Sequence, residues 1–90
     1  MASALPGEDL VEAGLASLAR GQDTIEALLV SVGAERLRAC GVAVPNALPD
    51  PERRLYDLLA RQDPDSAHGR YNALIRRLVS YERALECAPP

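Results

Sequence analysis

The chain has no lysine, no phenylalanine and no tryptophan, and its 90 residues include only three tyrosines, two cysteines, one methionine and one histidine. Each gap excludes something. Without large aromatics the interior must be filled by Leu, Val and Ala, which suits interlocking helices better than a sheet rich in aromatic and β-branched residues. Cys40 and Cys87 form no C-x-x-C pair, so a zinc or thioredoxin-type site has no basis. They are expected to be reduced apolar packing residues, with a Cys40–Cys87 disulfide as the alternative. The segment Met1 to Glu8 has neither a basic start nor a long apolar stretch, so no signal peptide is expected. The apolar run Ala27 to Val30 is far too short to cross a membrane. A cytoplasmic chain without membrane contact is the resulting expectation.

Lysine's absence leaves arginine as the sole source of strong positive charge. Lys, Phe, Ile and Asn, all scarce or missing, have AT-rich codons, so a GC-rich bacterial genome accounts for the bias. Selection of Arg for bidentate contacts to anions is the functional alternative. Charge is divided unevenly. Residues 1–50 carry seven acids and three Arg (−4), residues 51–90 six acids and seven Arg (+1), and the whole chain is −3. An acidic whole argues against nucleic acid as the default partner. The mildly basic second half suits an acidic protein surface.

What is present points to one all-α domain. Ninety residues with 48% apolar content can bury a modest core in one unit. Acidic Glu8, Asp9 and Glu12 followed by Gly21 mark a first helix over about 8–20, with Leu10, Val11, Leu15 and Leu18 inward. Its central Gly14 suggests close approach of another helix. Asp23 with Glu26 three positions on resembles a capping box opening a second helix, with Ile25, Leu28, Leu29 and Val32 inward. Gly33 ends or kinks that helix. A short third piece over 34–40 is anchored by Leu37 and stopped by Gly41. Residues 41–50, with Pro45 and Pro49, form a linker between helical halves. Asp50-Pro51-Glu52 and Asp63-Pro64-Asp65 are matching start signals for helices over 51–62 and 64–86. The expected fold is a small bundle of four to five helices whose long C-terminal helix forms a hairpin with the one before it. Residues 1–7 and 88–90 are expected to be flexible.

The C-terminal helix carries the most distinctive pattern. Ala67, Tyr71, Leu74, Leu78, Tyr81 and Leu85 recur every three or four residues, one apolar seam with the 3.5-residue period of helices that wrap around a partner. At 1.5 Å per residue, the shorter helix before it reaches about 18 Å and the C-terminal one about 34 Å. Their hairpin therefore covers the seam around Ala67, Tyr71 and Leu74 and leaves Leu78, Tyr81 and Leu85 to the remaining helices or to another chain. Arg70/Arg77 and Arg76/Arg83 flank the seam in two stripes seven apart.

No arrangement of residues announces chemistry. His68 lacks further ligands or a nucleophile at a recognised spacing, no Ser-His-Asp order is readable, and the acids are scattered as caps and ladders. No catalytic, cofactor or metal-binding residues are assigned. The expectation is a non-enzymatic protein–protein interaction module, of the adaptor, chaperone-like or regulatory-subunit kind. It would act through Tyr71, Leu74, Arg77, Leu78, Tyr81, Arg83 and Leu85, on a protein partner or a second copy in a dimer. The alternative is a small helix-turn-helix-like DNA-binding regulator using residues 24–40, with Arg36 and Arg38 as the contacts.

Overall fold

The computed structural model describes residues 5–87, and its described residues contain five helices and no strand. These are α1 (Glu8–Ala19), α2 (Ile25–Val32), α3 (Ala34–Ala39), α4 (Pro51–Gln62) and α5 (Ala67–Cys87). The expected all-α bundle with a long C-terminal helix is the observed fold. Residues 1–4 and 88–90, which carried part of the expected terminal flexibility, lie outside the described residues.

α2 is the centre. Ala27, Leu28, Leu29, Val30 and Ser31 are all buried in succession, a wider face than the single stripe the sequence suggests. A helix that is apolar nearly all round is stable only when neighbours surround it, and α1, α4 and α5 all pack on α2. Val11 and Leu18 of α1, Leu37 of α3, and Leu55 and Leu59 of α4 complete a core in which these five side chains are sealed from solvent.

Glycine allows the closest of these contacts. A Cβ on Gly14 would collide with the Glu26 carbonyl and with Val30, so α1 crosses α2 backbone to backbone at that point. Gly21 and Gly41 do a different job, taking left-handed conformations (φ 71° and 91°) after α1 and α3. The Gln22 amide donates to Ser17 O and the Val42 amide to Leu37 O, both at 2.9 Å. Each is the six-to-one bond of a Schellman ending.

Three local expectations need correction. Thr24, not Asp23, caps α2, its hydroxyl accepting from the Ala27 amide at 3.1 Å. Asp23 is instead drawn to Arg54 of α4, at 2.6 Å. Asp50 is the N-cap residue of α4 before Pro51, as expected, but it sits in the left-handed region (φ 48°), its side chain accepts no capping hydrogen bond, and its carboxylate pairs with Arg53 at 2.7 Å. α5 begins at Ala67 rather than Pro64. The Asp63 carboxylate accepts the Asp65 amide and its carbonyl the Ser66 amide, both at 3.2 Å, so a tight turn captures the donors a helix would need.

The segment between α3 and α4 is packed down, not a free connector. Val44 is buried, and Arg38 donates to its carbonyl at 2.7 Å. The Leu48 amide donates to Ser31 Oγ at 3.0 Å, while that hydroxyl donates to Ala27 O at 2.8 Å. Likewise Leu5 packs against the core and Gly7, buried and left-handed (φ 79°), opens α1, although both fall in the terminus expected to be flexible.

Gly14→Ala is expected to cost about 2 kcal/mol or more, because the added methyl meets a backbone carbonyl that cannot yield. Gly69→Ala, with nothing near its Cβ position, is expected to stabilise by up to about 1 kcal/mol. Urea unfolding of the two variants checks both signs; equal behaviour would contradict the close α1–α2 crossing.

Candidate functional site

α5 presents two faces with different fates. Along the seam, Ala67, Leu78 and Tyr81 are buried, while Tyr71, Leu74 and Leu85 are half-buried. Of the two alternatives for the half beyond the α4 hairpin, Leu78 and Tyr81 are thus covered by their own chain, while Leu85 stays half-buried. Leu78 enters the space left by Gly33, where a Cβ would touch both Leu78 methyl groups, and Tyr81 lies under Gly7, whose Cβ position meets the Arg77 carbonyl and Tyr81 Cβ. Two glycines far apart in sequence admit the C-terminal half of α5 into the core. Burial raises the Tyr81 hydroxyl pKa, with Glu8 and Glu12 adding to it. Leu78 and Tyr81 therefore offer no free side chain to a partner, in contrast to the expected docking role.

The part of the seam nearer α4 is less covered. Tyr71 packs against Tyr56 of α4 with ring centroids 5.7 Å apart at 60°, and Tyr56 is 38% exposed, the one large apolar side chain left open among the described residues. Around Leu74 an open groove of about 330 Å³ is lined by Leu10, Ile25, Glu26, Arg70, Ala73 and Arg77. A second, more polar hollow of about 290 Å³ lies between α2 and α4, where Asp23, Arg54, Asp57 and Arg61 gather.

The outer face of α5 is cationic. Arg70, Arg76, Arg77 and Arg83 are exposed, and from Ala67 to Leu85 no acid is exposed, because Glu82 is buried. Arg77 pairs with Asp9 of α1 at 2.8 Å, and Arg70 donates to Gln62 at 3.0 Å. None of the ion pairs among the described residues involves Arg76 or Arg83. Between them the face is built from small residues, Gly69, Ala73 and Ser80.

Glu82 is the polar surprise of the helix. It is 4% exposed, its carboxylate occupies the space beside Gly33, and Arg36 and Glu86 flank it. Burial pushes its pKa up, Glu86 adds to that, and Arg36 opposes it. Arg36 itself is held by Glu86, Nε to Oε1 at 2.8 Å, which lowers the Glu86 pKa. Nothing local in the sequence separates Glu82 from Glu86. Only the glycine at position 33 hints that a larger group from elsewhere fills its place.

Other sequence candidates are dispersed. His68 is exposed, its Nε2 3.2 Å from Asn72 Nδ2, and among the described residues no group of three or more His, Cys, Asp or Glu side chains is placed to hold a metal ion. Cys40 is a half-buried free thiol, whereas the Cys87 side chain, and with it the disulfide alternative, lies outside the described residues. Among the described residues no helix is long and apolar enough to cross a membrane. Arg36 and Arg38, the contacts of the helix-turn-helix alternative, are occupied by Glu86 and by the Val44 carbonyl. α3 spans only Ala34–Ala39, short for a recognition helix.

The chain matches no protein-family model, no curated protein and no solved structure.

Leu78→Ala is expected to cost about 2–4 kcal/mol and Leu78→Arg to prevent folding, since the site is closed on all sides by this chain. A folded Leu78→Arg variant, seen by circular dichroism, would return the seam to solvent. For Glu82 the sign follows from its raised pKa. Proton binding favours the folded state, so its stabilising contribution is complete below the ordinary glutamate range and is lost as pH rises through the raised value. Glu82→Gln should therefore raise the melting temperature at pH 7, with the gain shrinking towards pH 4. A gain that stays constant with pH would contradict the burial of the charge.

Proposed function

We propose that this protein is a non-enzymatic, cytoplasmic helical interaction module whose working surface is the outer face of α5 together with the groove beside it. One observation carries the reading: an acidic chain sets Arg70/Arg77 and Arg76/Arg83 in two exposed stripes along α5, with no exposed acid from Ala67 to Leu85. Scattered solvating charges would alternate in sign, as Glu52, Arg53, Asp57 and Arg61 do on α4. A one-signed surface of arginines and small residues supports docking by charge and close approach, with the groove at half-buried Leu10, Ile25 and Leu74 alongside the Arg70/Arg77 stripe. The buried part of the seam, Leu78 and Tyr81, is scaffold for that surface. Arg77, Arg83 and Leu74 remain in the interaction role, with Arg70 and Arg76 added. Nothing on α2 or α3 favours the DNA-binding alternative, because both of its arginines are engaged within the chain.

A photo-crosslinking amino acid placed at Ala73, in the middle of the face, tests the reading in living cells. A discrete protein adduct is expected from position 73 and none from exposed Ala43 in the inter-helix segment. Arg76→Glu with Arg83→Glu should abolish the adduct while leaving the circular dichroism unchanged. The reading fails if position 73 yields no adduct, or if the adduct survives the double reversal.

A further inference from the structure

Resting on the interaction-module reading and naming its partner, we infer that a second copy of this chain docks on the α5 face, with the outer face of α1 of each copy set against α5 of the other. The two faces are opposite in charge. Within α1 the charged residues are Glu8, Asp9 and Glu12, and the one base, exposed Arg20, sits at the C-cap, a turn and more beyond Glu12. On α5 the exposed charges up to Leu85 are four arginines, and the next acid, Glu86, is bound to Arg36.

The faces also match in shape. Asp9, Glu12, Ala13, Ala16 and Ala19 are exposed at three- and four-residue spacing on α1, and Gly69, Ala73, Arg76, Ser80 and Arg83 are exposed on α5. Alanine, glycine and serine at these positions let two helices approach closely, which brings short carboxylate side chains within reach of arginine. The α1 face is about 18 Å long, and the stretch from Gly69 to Arg83 is about 22 Å.

One such contact already exists inside each molecule. Asp9 of α1 accepts from Arg77 of α5 at 2.8 Å, so the two helices are neighbours and their charges meet at this crossing. Arg76 and Arg83, turned to the other side of α5, have no such pair among the described residues. Placing Glu12 of a second copy against them repeats between chains the contact made within the chain. A two-fold arrangement uses each face once per subunit and closes the assembly. With no large apolar side chain on either face, the contact is electrostatic in character and therefore sensitive to salt. The acids of α1 also complement its helix dipole, and that role alone predicts a monomer, which makes the two accounts separable.

Sedimentation of the purified full chain decides between them. A dimer is expected at about 50 mM salt, with its dissociation constant rising at least tenfold by about 500 mM. Glu12→Arg alone and Arg76→Glu/Arg83→Glu alone should each be folded monomers, because each sets like charge against like. Mixed one to one, they should form a heterodimer, since both contacts then regain opposite charges. Arg76→Lys/Arg83→Lys should remain dimeric. A wild-type monomer up to about 1 mM, a dimer that survives either reversal, or a mixture that stays monomeric each overturns the inference. If position 73 still cross-links to a different protein in cells while the purified chain is monomeric, the interaction-module reading stands and only the identity of the partner falls.

Discussion

The fold depends on burying α2 on several sides at once. Five consecutive residues of that helix are out of solvent, so no single neighbour could stabilise it, and α1, α4 and α5 must all arrive before it is covered. In a chain without Phe or Trp the available volume is small, and coverage requires short distances rather than large side chains. Gly14 provides the shortest of these, backbone against backbone. Ser31, buried in the same helix, then bonds back to Ala27 and receives the Leu48 amide, which ties the proline-containing segment to the core.

The same shortage of bulk explains how α5 is used. A seam of six apolar residues looks surplus to a hairpin with a shorter helix, and its far half invites a partner. Within the folded chain Gly33 and Gly7 make room for Leu78 and Tyr81, so the far half is consumed by the core. What remains outside is the opposite face, where arginines and small residues alternate. The surface available for recognition is therefore set by charge and close approach more than by apolar area.

Glu82 shows the cost of that compact arrangement. Its carboxylate fills the place a side chain at position 33 would have taken, beside the Arg36–Glu86 pair that joins α3 to the last turns of α5. With Glu82 buried, the exposed acid left on α5 is Glu86, which pairs with Arg36 at the end of the helix.

Much of this was legible locally. The helical class, the bounds of α1 and α4, the glycine stops at 21 and 41, the close approach at Gly14, and Leu37, Leu55 and Leu59 as core follow from periodicity, capping chemistry and backbone freedom, which act over a few neighbouring residues. Tyr56 could have been suspected too, an aromatic adjacent to but outside the apolar face of α4. The start of α5 departs from the Asp63-Pro64-Asp65 signal because Asp63 offers the same amides a turn instead of a helix. The groove, the burial of Leu78, Tyr81 and Glu82, and the engagement of Arg36 and Arg38 were decided only by tertiary structure. Each joins segments roughly fifty or more residues apart, or closes a side chain on a packed loop. A glycine in sequence reports that a side chain is missing, but not which distant residue fills its place. Sequence alone determined that α5 is amphipathic and arginine-rich; the packing of α1 and the α2–α3 junction determined which of its faces meets the outside.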